Sequence, residues 1–411
     1  MTTEKSMMKN FKQSPVGKSI GVFVKSLKHR PFYNGHCKTL QKDLFFSPKT
    51  YYPKIVADSI QQRRIHLDET INWLCRGQDA NQDGGVAVGY GFRQGWGASY
   101  PETTGYIIET FYEYAQLTGD DQYRARALKM AQWLLKVQME NGAYQGFTIS
   151  DKKGPVVFNT GQIIFGLLKT ALETHDEKFL EAAQRAGDWL VNVQDANGAW
   201  SRYTYNDFAH AYHARVAWPL LELYKITKKE SYKTAAIRNC EWILTLQDSN
   251  GWYHQNSFFK TTNPFTHNIV YTTRGIFESG MILNEEHYIA SAEKVLKPLM
   301  DSFEQKKYLC GEFNEKWESS ARYSCLTGNS QLAVCLFKFY KLRNKQEYLT
   351  AAKKLNRYNM AAQDIVSSNP GIKGGIKGSV PVWGDYMSFF CPNWAAKFFA
   401  DALMQEVSVS I

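Results

Sequence analysis

Long apolar runs are missing from this sequence. No stretch of about 18 consecutive apolar residues occurs, so nothing reads as a membrane-spanning helix. The opening "MTTEKSMMKNFKQSPVGKSIGVFVKSLKHR" places charges where the apolar core of a secretory leader would lie, so no signal peptide is expected. Cysteine is sparse: the chain has 7 in 411 residues, an odd number and widely scattered. They read as reduced thiols of a cytoplasmic protein rather than as a disulfide framework. Neither a CxxC pair nor an HExxH string is present, so no metal site and no cofactor is expected.

Acidic residues are the minority charge, with 39 Asp and Glu against 49 Lys and Arg, a formal net charge of +10. A basic balance suits an anionic partner: nucleic acid, a lipid surface or an acidic glycan. The basic residues are spread out and no helix-turn-helix, RRM or C2H2 pattern occurs, which argues against nucleic acid. Lys5, Lys9, Lys12, Lys18, Lys25, Lys28 and Arg30 face only Glu4 near the start. Residues 1–60 therefore read as a basic extension, and residues 1–35 as a candidate contact for a membrane surface or a protein. The composition is otherwise globular, 44% hydrophobic, 14% aromatic and 21% charged.

What the sequence does have is an internal repeat. "QMENGAY" (Gln138 to Tyr144), "QDANGAW" (Gln194 to Trp200) and "QDSNGWY" (Gln247 to Tyr253) are near copies about fifty residues apart. Each ends a segment of helical period. In "EKFLEAAQRAGDWLVNVQ", Leu180, Ala183, Gly187, Leu190 and Val191 share one face. After each turn and a variable loop comes a more apolar helix, such as "FNTGQIIFGLLKTALET". The pattern extends in both directions, with one further amphipathic helix expected around Ala290 to Phe303, and gives about six helix pairs. A helix that is apolar on most sides must be buried. The expected fold is therefore all-α, an (α/α)6 toroid over residues 61–411, with inner apolar and outer amphipathic rings. An open solenoid fits less well, because the loops before the inner helices are long and the other links short.

The phrase Q-x-x-x-G-x-W, matched by Gln194, Gly198 and Trp200, resembles the QW motif of squalene and other triterpene cyclases. That resemblance implies an amide stacked on an aromatic ring, tying neighbouring repeats together. It implies a fold rather than a chemistry, since neither D-x-D-D nor D-D-x-x-D, which terpenoid cyclisation requires, occurs here.

In such a toroid the N-terminal ends of the inner helices converge on one mouth, where free N–H groups and positive helix ends favour anions. The expected catalytic residues at these ends are Glu102, His213, His267, Tyr271, Arg274 and Tyr323. The expected substrate-binding residues are Tyr100, Asn159, Gln162, His210, Arg215, Asn329, Trp383 and Tyr386. Each also has a plainer reading: Pro101-Glu102 is an ordinary helix start, and an inner-helix His is often a core residue. Arg274 sits in the apolar "NIVYTTRGIF", so it needs a buried carboxylate or a cavity ligand.

"FRQGWGASYPETTGY", "FNTGQ", "THNIVYTTRG", "SCLTGNSQ" and "PNWAAKFFADAL" are similar to squalene-cyclase-like toroid proteins of bacterial polysaccharide-biosynthesis clusters, over about residues 65 to 405. The similarity extends distantly to the helical domain of D-glucuronyl C5-epimerases. It implies a carbohydrate-active enzyme acting on an acidic, uronate-containing glycan or its precursor. Proton abstraction at C5, as in an epimerase or lyase, would use Arg to neutralise the carboxylate and Tyr or His to move protons. The alternatives are a glycoside hydrolase pairing Glu102 with Asp83, Asp207, Glu312 or Asp385, and a non-catalytic glycan-binding or scaffold protein.

Overall fold

A computed structural model of the chain describes residue 43 and residues 47–52 and 59–409. Most of the expected basic extension, and the contact expected from residues 1–35, lie outside the described residues. The α-helices alternate between two layers. In chain order they are α1 (Ile60–Asp79), α2 (Pro101–Thr118), α3 (Gln122–Val137), α4 (Val157–Thr174), α5 (Glu177–Asn192), α6 (Ala214–Thr227) and α7 (Glu230–Leu244). Then follow α8 (Thr266–Leu283), α9 (Glu286–Glu293), α10 (Leu296–Lys306), α11 (Leu326–Arg343), α12 (Gln346–Ala362) and α13 (Asn393–Val409). The inner helices α2, α4, α6, α8, α11 and α13 each pack on the next, and α13 packs back on α2. The first outer helix, α1, covers the last inner one, α13, so the chain closes an (α/α)6 toroid.

Sequence period and burial agree on which helix goes where. Helix α4 is buried at every residue from Val157 to Leu168. Outer helix α5 buries Phe179, Ala182, Ala183, Ala186, Gly187, Trp189 and Leu190. Leu180 and Val191, expected on that face, lie at its margins, because the stripe wraps far enough to take in Phe179 and Trp189. The inner helices approach closely where side chains are absent. A Cβ on Gly166 of α4 would fall 2.0 Å from the Gly105 carbonyl of α2. The helix expected around Ala290 to Phe303 is broken into α9 and α10. Pro298 explains the break, since its ring would strike the carbonyl of Lys294, four residues earlier.

The two ends of the toroid differ. At the base, each inner helix turns into the next outer one through a left-handed cap: Gly119, His175, Lys228, Asn284 and Asn344. At the mouth the loops are long and carry short strands, β1 (Gly89–Gly91), β2 (Gly95–Trp96), β3 (Ser324–Cys325), β4 (Ser379–Val380) and β5 (Phe390–Pro392). Antiparallel pairing of β1 with β5, Tyr90 opposite Cys391, joins the first mouth loop to the last.

The repeated Gln has a definite task. The Gln194 amide nitrogen donates to the Gly198 carbonyl of its own turn at 3.0 Å and to Ala235 of the next outer helix at 2.8 Å. Gln138 does the same with Gly142 and Ala182, and Gln247 with Gly251 and Ser291. The pattern reaches beyond the near copies: Gln78 bridges Gly84 and Arg126, and Gln363 bridges Gly374 and the Thr70 hydroxyl on α1. These hydrogen bonds hold outer helix to outer helix. Trp200 is fully buried and donates to the Leu190 carbonyl of α5, the helix before its turn.

Removing one such amide leaves buried carbonyls with fewer partners. Gln194→Ala is expected to cost about 2 kcal/mol in denaturant unfolding. The exposed Gln132 of α3 is the control, and its change to Ala should cost under about 0.5 kcal/mol. Equal effects would remove the bridging role.

Candidate active site

The inner-helix N-termini surround a cavity of about 1270 Å3. Glu102, Tyr106 and Tyr271 form its deep end, His267, Asn268, Phe158, Tyr212, Tyr386 and Trp394 its walls. Loops around 147–156, 201–207 and 258–259 form the rim. Phe147, Tyr203 and Phe259 on that rim are 47%, 45% and 56% exposed, large aromatic faces left in water beside a concave site.

Glu102 sits in the first turn of α2, where the helix dipole favours the carboxylate. Burial outweighs this and pushes its pKa from 4.5 up to about 7, against the opposing pull of the Tyr100 hydrogen bond and the Arg215 charge. Its surroundings form a chain. The Tyr100 hydroxyl lies 2.7 Å from Glu102 Oε2 and 2.9 Å from the Tyr205 hydroxyl, which lies 2.9 Å from Asn159 Oδ1. The Asn159 amide nitrogen is committed to the Gln145 carbonyl, so Oδ1 can only accept. Three links require three protons, and the two phenols supply two. The third must come from Glu102, so the protonated carboxyl completes the chain and the ionised one leaves the two phenols facing each other without a proton. The bond that Tyr100 donates to Glu102 Oε2 favours the ionised form, whereas the proton count of the chain and burial favour the protonated one, and burial is the largest of these effects.

The charged residues of the lining, Asp151, Lys153, Arg202 and Asp207, stand exposed on the rim loops, and the polar groups of the wall are neutral. Gln331 Nε2 lies 2.8 Å from His267 Nδ1, and because an amide N–H only donates, the ring proton resides on Nε2. Burial, then the Arg215 charge, lowers the His267 pKa to about 3, so the ring stays uncharged at neutral pH. Asn268 is fully buried at the cavity wall, and neither atom of its amide has a hydrogen-bond partner. Behind Tyr271 lies Arg215, its guanidinium 4.9 Å from that ring and 5.1 Å from Trp218. Local sequence fixes it there. Pro219 has no N–H to offer the Arg215 carbonyl, which takes the Gln162 amide nitrogen at 2.7 Å instead, while Gln162 Oε1 accepts from Arg215 Nε at 2.9 Å.

Of the residues expected from sequence, the cavity brings together Tyr100, Glu102, His267, Tyr271 and Tyr386, and Asn159 joins through Tyr205. The others lie outside its lining. Arg215 and Gln162 form the pair just described. His213 is buried among Phe158, Trp200 and Tyr212, with neither ring nitrogen hydrogen-bonded. The His210 ring nitrogens lie near the carbonyls of Tyr205 and Ser257, at 2.7 and 3.1 Å. Arg274 has the carboxylate it needed, Glu278 at 3.3 Å, and stacks on Trp218. Tyr323 donates to Glu312, Asn329 bonds Ser324 and Asn359, and the Trp383 indole donates to the Asp43 carbonyl. Sequence reasoning missed Tyr205, Tyr106 and Asn268. Tyr106 follows Glu102 by one turn on the same inner helix, and Asn268 adjoins His267, so both were readable as neighbours. Tyr205 lies in a loop of variable length, where no period marks it.

Residues 159–327 match the family described as Ulvan lyase N-terminal domain, less than half of the chain. Comparison with curated proteins finds no match. An unsaturated glucuronyl hydrolase specific for heparin superposes with a TM-score of 0.70 at 12% identity, over 86% of this chain and 98% of that one. A sugar epimerase from a ruminal bacterium gives 0.69 at 13% identity, over 86% and 99%. Cellobiose 2-epimerase from Bacillus thermoamylovorans B4167 gives 0.67 at 12%, over 85% and 99%. At such identities these likenesses establish the toroid fold.

Two outcomes follow from the site's electrostatics. The folded-state pKa of Glu102, about 7, lies above the ordinary 4.5, so the fold holds this proton more tightly than the unfolded chain does. The stability it contributes is full below about pH 4.5 and is lost as pH rises through about 7. Glu102→Gln should therefore gain roughly 3 kcal/mol over the native protein at alkaline pH. The gain should vanish in mildly acidic buffer, read by denaturant unfolding across pH. For His267, 15N NMR should show a neutral ring protonated on Nε2 from neutrality down to about pH 5, and Gln331→Leu should release that tautomer preference. An imidazolium signal near neutrality would contradict the assignment.

Proposed function

We propose that this protein is a carbohydrate-active enzyme that removes the C5 proton of a uronate residue in an acidic glycan, as a lyase or epimerase does. The observation that carries this is a lone buried carboxyl poised near neutrality, Glu102, facing uncharged wall groups such as His267 and Asn268, with the charged lining residues confined to the rim loops. Paired-carboxylate hydrolysis needs a second acid beside the scissile bond. The other carboxylates lining this cavity, Asp151 and Asp207, are exposed on rim loops. The Ulvan lyase match over residues 159–327 supports the reading, since that stretch carries Asn159, His267, Asn268 and Tyr271.

The steps balance on these residues. Ionised Glu102 takes the C5 proton, and the electron pair moves into the uronate carboxylate, which gains enediolate character. His267 Nε2–H and the Asn268 amide N–H donate to that group, and Arg215 behind Tyr271 adds a positive field. In elimination the pair then forms C4=C5, the C4–O4 bond breaks, and Glu102 returns its proton to O4. Epimerisation needs in addition a donor on the opposite face of C5, a role open to the Tyr386 hydroxyl, with solvent then taking the proton from Glu102 and restoring that of the phenol. One carboxyl with a pKa near 7 serves both directions. The rim aromatics Phe147, Tyr203 and Phe259 act as platforms for neighbouring sugars. The reading keeps the context that the sequence resemblance implied, a squalene-cyclase-like toroid of polysaccharide biosynthesis with its basic extension at residues 1–60, working in the cytoplasm.

Incubation with uronate-containing oligosaccharides in D2O, followed by proton NMR, tests this. Deuterium at C5 or a new alkene signal is expected, with kcat/KM rising through about pH 7 and falling at least about 100-fold in Glu102→Gln. New reducing ends without either signal would make the enzyme a hydrolase and overturn the proposal.

A further inference from the structure

Eleven large apolar side chains are exposed among the described residues, and their placement is not scattered. Three are the rim aromatics of the cavity. Five others, Leu117, Leu172, Ile226, Met281 and Leu342, sit one each in the last turn of α2, α4, α6, α8 and α11. They are 38%, 57%, 37%, 44% and 37% exposed. Inner helices pack about 8–10 Å apart, so these side chains form one ring on the base of the toroid, the face opposite the cavity. Single exposed leucines are ordinary, whereas a contiguous apolar patch rimmed by charge marks an interaction surface.

The charges around the ring say what fits it. The link from α2 to α3 carries Asp120 and Asp121, and that from α4 to α5 carries Asp176 and Glu177. The α6–α7 link carries Lys228 and Lys229, the α8–α9 link Glu285 and Glu286, and the α11–α12 link Arg343 and Lys345. Three of the five links are acidic, so an anionic lipid surface is a poor partner. A second copy is a good one. Turning the base over about a twofold axis in its plane, between the α6 and α8 positions, reverses the order of the ring. That sets the lysines of the α6–α7 link against the glutamates of the other copy's α8–α9 link. It sets the acidic α4–α5 link against the basic α11–α12 link, and the α2–α3 link against the end of α13. The leading charges of these pairings are opposite in sign, although Arg343 and Lys345 also pair with Glu286 and Glu293 within the chain.

We propose that the base is a self-association surface and that the protein forms a twofold, base-to-base dimer with its two cavities facing outward. The inference is independent of the reaction assigned to the cavity.

Sedimentation equilibrium of the full chain at micromolar concentrations should give twice the 47.1 kDa mass of one chain. Leu172→Glu combined with Met281→Glu should return it to the single-chain mass with helical circular dichroism unchanged. A charge swap fixes the register and guards against a misfolded double variant. Lys228→Glu alone should weaken the dimer at least about tenfold, and adding Glu285→Lys should restore it. The proposal is overturned by a single-chain mass for the native protein at tens of micromolar. It is overturned equally by a dimer indifferent to both sets of changes, or by capture of the base on anionic vesicles that Leu172→Glu abolishes while the mass stays single.

Discussion

The side-chain amide of a recurring glutamine is the contact on which the remaining architecture rests. Gln78, Gln138, Gln194, Gln247 and Gln363 each satisfy a carbonyl of their own turn and a group on the following outer helix. The last of these reaches Thr70 on the first outer helix, so the five bridges span five of the six junctions of the outer ring, the seam between last and first repeats included. Carbonyls left free where a helix meets a tight turn would otherwise be buried without partners. By meeting that need across the repeat boundary, one residue type sets the spacing of the outer ring. The inner ring then has a fixed radius, and its N-termini converge on a cavity of fixed width.

That geometry decides the electrostatics. At the floor of the cavity, Glu102 is buried near Tyr100, Tyr106 and Tyr271, and its carboxyl holds its proton to about pH 7. Deeper along the axis lie ion pairs, Arg274 with Glu278, Lys338 with Glu278, and Lys397 with Asp401. Arg215 is the intermediate case, a guanidinium satisfied on one side by Gln162 and otherwise enclosed by the rings of Phe165, Trp218, Tyr271 and Phe398. The toroid thus separates a mouth with a buried, protonated carboxyl from an axis with ion pairs and a base with exposed apolar side chains.

The fold was legible because the repeat and its helical period are local properties. Alternation of amphipathic and apolar helices gave the two layers, and loop-length asymmetry gave the closed ring. The break at Pro298 was visible in principle, since proline forbids the helix four residues back, but the apolar period runs through it. The site was legible by element and not by depth. Position in an inner-helix first turn put Tyr100, Glu102 and His267 in the cavity. The same reasoning nominated Arg274, two turns further along α8, where the axis supplies Glu278. It also nominated Tyr323, Asn329 and Trp383, which mouth-loop hydrogen bonds engage elsewhere. Tyr205 was beyond reach, because a loop's path depends on what it packs against.

The central claim is that the cavity holds one carboxyl with its proton retained to neutrality. Carbon-13 NMR of protein labelled at the glutamate carboxyl carbon measures this directly. Glu109, beside Lys397, is also raised to about 7 by burial, so the Glu102 signal must be assigned by difference from Glu102→Gln. The account predicts that the signal lost in that variant titrates with a midpoint about 7. A midpoint near the ordinary 4.5 would mean an ionised, hydrated carboxylate, and neither the proton chain through Tyr100 and Tyr205 nor the proposed acid–base role would stand.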